Sequence, residues 1–189
     1  RTMSFDNCKT GIKAIGYAGK VENSVMTNVG VGIDWSYSQA RDIRMLDNTI
    51  SARQFGIRSG LNEPQRPISA IKNNTITITG QGAGTNPVSG IQMDELGLGY
   101  AQPQQQIQPG SGWDVLENTI TMSLGGRGIS YRNGFFGLLE ENNINDLGSG
   151  TSPGRYDGIF VEGSSFSQID YNDVTRSTSA GGNATSHAI

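Results

Sequence analysis

The 189-residue chain is the length of one domain, carries a net charge of −3 and contains 27 glycines, twice the ~7% average usage. Eighteen isoleucines and fifteen asparagines, against nine leucines and four lysines, favour pleated surfaces and tight turns, which excludes an all-helical fold. Charged residues make up only 16%, and the fourteen basic side chains are scattered singly, so no run of nucleic-acid phosphates would be neutralised and nucleic acid is excluded as a partner.

In chain order, two short signatures alternate. Gly11-Ile12 comes first, followed by a weak copy of the second signature, Asn23-Ser24-Val25. Then come Gly32-Ile33, Met45 to Asn48 to Ile50, Gly56-Ile57, Ile71 to Asn74 to Ile76, Gly90-Ile91, and Val115 to Asn118 to Ile120. Gly128-Ile129, Leu139 to Asn142 to Ile144, Gly158-Ile159 and Ile169 to Asn172 to Val174 complete the series, with Ala188-Ile189 in the place of a last Gly-Ile. From Asn23 onward, successive asparagines lie 25, 26, 44, 24 and 30 residues apart, a period near 25 with insertions. A unit of this size cannot bury its own apolar face, but stacked units share a continuous core. Short strands opening at Gly-Ile suit the coils of a parallel β-helix.

Each signature has a physical role in such a stack. The repeated Asn is expected at the same turn in every unit, where its amide bonds the Asn of the next unit as a ladder and its backbone tolerates a left-handed conformation. The glycine relieves a corner, and the Ile after it points inward. The lone Cys8 reads as a small core residue, which excludes a disulfide framework, and the single His187 leaves no imidazole neighbour for a triad or metal cluster. No apolar run approaches the ~18 residues of a membrane span.

This alternation of Asn-Thr-Ile and Gly-Ile resembles the repeat of the pectate-lyase-like superfamily of right-handed parallel β-helices, over nearly the whole chain. The resemblance implies an all-β, right-handed solenoid of about six coils, located extracellularly or at a cell or virion surface, with an acidic polysaccharide as partner and Ca2+ as cofactor. The superfamily includes lyases, glycoside hydrolases, epimerases, tailspikes and adhesins. The Asp-Pro-His motif of alginate epimerases and the Gly-His-Gly of polygalacturonases do not occur here. Residues 1–189 are expected to form one segment of a longer solenoid, or a rod whose ends pair with other subunits as a homo-oligomer.

Alternation along the Gly-Ile strand assigns its faces. Ala14, Trp35, Ser59, Met93, Tyr131 and Val161 are expected inward, two residues after each Ile. Outward stand Lys13, Asp34, Arg58, Gln92, Ser130 and Phe160, then Ile15, Ser36, Gly60, Asp94, Arg132 and Glu162. At ~4.8 Å per strand, Asp94 and Glu162 lie two strands apart, roughly 9.6 Å, with Arg132 between them. That spacing is near the upper end of the roughly 6.5–9.5 Å of inverting glycosidases, so these three are the candidate catalytic residues. The same row also reads as a solvated charge ladder, as does the Asp34 and Arg58 pair. Insertions at 61–67, 80–87, 96–112 and 148–155 border this face and would wall a groove. Phe160, Asp34, Arg58, Tyr100 and Trp113 are the candidate substrate-binding residues. Two functions follow from this reading: a β-helix that binds, and cleaves or epimerises, a polysaccharide, or a structural or adhesive shaft without chemistry.

Overall fold

The computed structural model describes residues 2–15, 18–38, 42–61, 69–80, 88–94, 113–132, 137–145, 156–164, 168–175 and 186–187. All regular elements among them are strands: β1 (Ser4–Asp6), β2 (Thr10–Ala14), β3 (Ala18–Glu22), β4 (Val25–Ser38), β5 (Asp42–Leu46) and β6 (Thr49–Leu61). There follow β7 (Ser69–Lys72), β8 (Thr75–Ile78), β9 (Ser89–Asp94), β10 (Trp113–Leu116), β11 (Thr119–Met122) and β12 (Gly126–Arg132). The last six are β13 (Leu138–Glu140), β14 (Asn143–Asn145), β15 (Tyr156–Glu162), β16 (Gln168–Asp170), β17 (Asp173–Val174) and β18 (Ser186–His187). Among the described residues no helix is long and apolar enough to cross a membrane.

All pairings are parallel and join corresponding positions of successive repeats, an arrangement consistent with a β-helix. A six-stranded sheet runs β16-β13-β10-β7-β5-β3. A twelve-stranded sheet has two limbs, because β4 and β6 are long enough to turn a corner and pair twice. β6 pairs with β8 through Thr49–Ala52 and with β9 through Phe55–Ser59. One limb therefore carries the residues after each ladder Asn, and the other carries the Gly-Ile strands.

Three aliphatic columns fill the space between. Met45, Ile71, Val115 and Leu139 stack in the six-stranded sheet, while Ile50, Ile76, Ile120 and Ile144 stack in the first limb and Ile33, Ile57, Ile91 and Ile129 in the second. All twelve are buried, each burial contributing roughly 1.5–3 kcal/mol. The column expected inward after Ile is inward: Trp35, Ser59, Met93 and Tyr131 are buried, and Ala14 and Val161 pack partly against the core. Cys8 likewise packs partly against it, its thiol directed at the Asp6 carbonyl.

The two sequence signatures turn out to be halves of one contact. A Cβ built on Gly128 would lie 2.5 Å from Ile144 Cγ2 and 2.6 Å from the Gly158 carbonyl oxygen. Gly56 and Gly90 face Ile76 and Ile120 in the same way. Each glycine is thus a hole into which the Ile of the following Asn-x-Ile fits. Its backbone stays in the ordinary negative-φ region, so the requirement is close approach and not a special torsion.

The asparagine ladder is present. The backbone N–H and Nδ2–H of Asn48 both donate to Asn74 Oδ1, at 3.0 and 2.9 Å, and the pattern repeats from Asn74 to Asn118, Asn118 to Asn142 and Asn142 to Asn172. Nδ2 also donates to a backbone carbonyl of the preceding repeat, as Asn118 does to Ile71. Ser24 stands in the same column with only its backbone N–H on Asn48 Oδ1.

One expectation about this turn is corrected. The left-handed residue is not the ladder Asn but the one before it: Asn23, Asp47, Asn73, Glu117, Glu141 and Tyr171 have φ between 49° and 57°. The ladder Asn stays outside the left-handed region with its amide directed along the stack, and the reversal falls on its exposed neighbour. Cross-repeat contacts hold this outer row, including Asn73 Nδ2 to Asp47 Oδ1 at 2.6 Å and Lys72 to Glu117 at 2.7 Å. The Glu117 hydrogen bond and charge hold the Lys72 ammonium pKa above its ordinary value.

Asn118→Ala removes the acceptor of the buried Asn74 backbone N–H and the donor to the Ile71 carbonyl, and is expected to cost about 3 kcal/mol in urea unfolding. Tyr171, bulky, left-handed and 84% exposed, is the opposite case. Tyr171→Asn is expected to raise stability by about 1 kcal/mol, read as a higher urea midpoint at unchanged slope.

Candidate functional site

The outer face of the Gly-Ile limb is built from three columns of side chains. Because Gly and Ile both turn inward at the corner, the residue before Gly faces outward together with the residue after Ile. The ring of Phe55 accordingly lies 5.4 Å from the Arg58 guanidinium, and that of Phe160 lies 3.6 Å from the Arg127 guanidinium. Strict alternation back from Ile would have pointed residues 127 and 157 into the core, which is why the sequence reading missed them. A usable signal was there: opposite charges at the same place, just before Gly-Ile, in adjacent repeats.

Arg127 and Asp157 are register partners on β12 and β15, and Arg127 Nε donates to Asp157 Oδ2 at 3.0 Å. Both are buried, at 2% and 7% exposure. On the other side of Arg127 in register is Ser89, whose Oγ is buried without a hydrogen-bond partner. Phe160 lies between two arginines, with the Arg132 guanidinium 5.4 Å from its ring centroid. Guanidinium groups over an aromatic face are attracted by its quadrupole, by about 0.5–2 kcal/mol depending on desolvation.

The acid, base, acid row has the expected register, Asp94 beside Arg132 beside Glu162. Arg132 Nε is 3.1 Å from Glu162 Oε2, close enough for an ion pair, while Nε finds no aligned hydrogen-bond acceptor. Glu162 is therefore a charge partner of the arginine. Using it as an acid or base requires breaking that pair. Asp34 and Arg58, also in register, form a two-point pair in which Arg58 Nη2 donates to Asp34 Oδ2 at 2.7 Å and Nε to Oδ1 at 3.4 Å. Asp34 is 4% exposed, so its carboxylate is committed to Arg58.

Two candidates do not join this face. Trp113 is fully buried in β10, in register with Ser69, and its Nε1 has no partner; its ring belongs to the core because β10 turns it to the same side as Val115. Tyr100 lies outside the described residues, as do nearly all of the four insertions expected to wall the groove. Away from this face, burial and then the charge of Glu140 push the Asp114 carboxyl pKa above its ordinary value. Among the described residues, no group of three or more His, Cys, Asp and Glu side chains is placed to hold a metal ion.

Burial separates the two arginine pairs energetically. Asp157→Ala leaves a buried guanidinium uncompensated and is expected to cost about 3–5 kcal/mol. Glu162→Ala, at a carboxylate 58% exposed, is expected to cost less than about 1 kcal/mol. Denaturant melts of the two variants, repeated at high salt, check both the order and the screening.

No family model, curated protein or solved structure matches the chain.

Proposed function

We propose that the chain is a run of about six coils of a right-handed parallel β-helix at a cell or virion surface, and that its Gly-Ile face binds an acidic polysaccharide. The observation that carries this reading is the arrangement around Phe160: an aromatic ring flanked by two guanidinium groups, one buried and paired, the other about one-third exposed. A ring of this kind stacks against a sugar, and an accessible guanidinium bonds a carboxylate in two-point fashion. Binding needs only that a uronate take the place of Glu162 on Arg132, whereas turnover needs Glu162 to act as an acid or base as well. Lyase, hydrolase or epimerase action through Asp94, Arg132 and Glu162 would need the incoming uronate to displace that pair.

A second reading, a structural or adhesive shaft, is favoured by a separate observation. Among the described residues, the ion pairs Asp34–Arg58, Arg127–Asp157 and Arg132–Glu162 each link corresponding positions of adjacent repeats. Such pairs tie neighbouring strands together and stiffen a rod whether or not a ligand exists.

Titration with uronate-containing oligosaccharides, followed by NMR, is expected to shift the Phe160 and Arg132 resonances, and Arg132→Ala is expected to weaken binding about tenfold, the equivalent of 1.4 kcal/mol. If no glycan moves a resonance on this face, the shaft reading stands and the binding reading falls. Turnover of the same glycans that survives both Asp94→Ala and Glu162→Ala would remove the catalytic row.

A further inference from the structure

The other limb of the twelve-stranded sheet presents a different surface. Each ladder Asn is followed by an outward residue, an inward Ile and a second outward residue. These outward positions read Thr49 and Ser51, Thr75 and Thr77, Thr119 and Thr121, then Asn143 and Asn145. The registers align them without interruption: Thr49, Thr75, Thr119 and Asn143 in one column, and Ser51, Thr77, Thr121 and Asn145 in the other. The first column is exposed and the second half-buried. Six hydroxyls and two amides therefore occupy a two-column grid bearing no charge.

The ordinary explanation of a threonine ladder is mutual hydrogen bonding across strands. That is not what holds this one: among the described residues, none of the six hydroxyls has a hydrogen-bond partner. Their positions are held by the sheet, with the residues of the first column exposed and those of the second half-buried. Parallel strand spacing sets one repeat at about 4.8 Å, and two residues along a strand set the other at about 6.6 Å. The asparagine ladder lies immediately beside the grid and locks each rung to the next, and side-chain ladders of this kind are what keep a sheet flat against its tendency to twist.

We propose that this face is an ice-binding surface, its ligand an ordered lattice of water. The two grid repeats lie close to the oxygen repeats on a prism face of hexagonal ice. The hydroxyls supply hydrogen bonds to lattice waters, and the threonine methyls order the water between columns without competing for it. Because the grid is rigid before contact, the entropy of arranging it is not charged to binding. This face is distinct from the Gly-Ile face, and the inference does not rest on the polysaccharide reading.

The test is incorporation of the fluorescently labelled full chain into a slowly growing ice crystal, together with microscopy of crystal shape. The expected result is labelled, faceted ice. Thr75→Lys and Thr119→Lys place a charge at exposed positions in the middle of the grid, and are expected to abolish incorporation while circular dichroism stays that of the parent chain. Arg44→Ala, exposed on the six-stranded sheet, is expected to leave incorporation unchanged. Expulsion of the parent chain into the liquid, as for a control globular protein, overturns the proposal, and so does incorporation of folded Thr119→Lys at the parent's level.

Discussion

The structure depends on a buried amide repeated down a column. An asparagine side chain inside a protein is costly unless its carbonyl and both of its N–H groups are used, and here each one uses them on the repeats before and after it. Asn118 accepts two hydrogen bonds from Asn74, donates to Asn142 Oδ1 and returns a bond to the Ile71 carbonyl. The result is a polar network with every rung satisfied, running through a largely apolar interior. Position along the chain is fixed by this network, since a one-residue slip would place Glu117 or Thr119 where an amide is required and Thr119 or Thr121 among the isoleucines.

Two further consequences follow from placing the amide at the turn. The backbone must reverse just before it, so a left-handed conformation falls on whichever residue precedes Asn, even where that residue is Glu117, Glu141 or Tyr171. Immediately after it the chain enters a strand whose Ile drops into the hole left by the glycine of the preceding repeat. Turn, strand and corner are therefore set by one spacing. The surface features are secondary products of it, with the arginine and phenylalanine cluster on one limb and the hydroxyl grid on the other.

Much of this was legible in the sequence because the determining residues recur. Fold class, inward columns, amide ladder and the lateral alignment of Asp94, Arg132 and Glu162 all follow from a period near 25 and alternation along a strand. What was not legible depends on local geometry that alternation does not describe. Arg127 and Asp157 face outward because the chain places two consecutive residues, Gly and Ile, on the inside of a bend. Trp113, a candidate substrate-binding residue beside a long insertion, opens a strand that turns its ring inward. The left-handed position was placed one residue late, since Asn is the residue most associated with that conformation while the hydrogen-bonding duty of the ladder Asn forbids it. The partnering of Glu162 with Arg132 depends on side-chain rotamers and was outside the reach of the pattern.

Identical rungs carry a hazard of their own: sliding the stack by a whole repeat would satisfy the amides and isoleucines almost as well. The oversized side chains in the remaining inward columns remove that degeneracy. The Trp35 ring occupies the space over Gly19, and the Tyr131 ring and hydroxyl occupy the space at Gly137, where any β-carbon would collide with them. Bulky and empty positions match only when each repeat meets its own neighbour. These aromatic residues act as keys cut differently for each lock, and they give a nearly periodic polymer an address system along its axis.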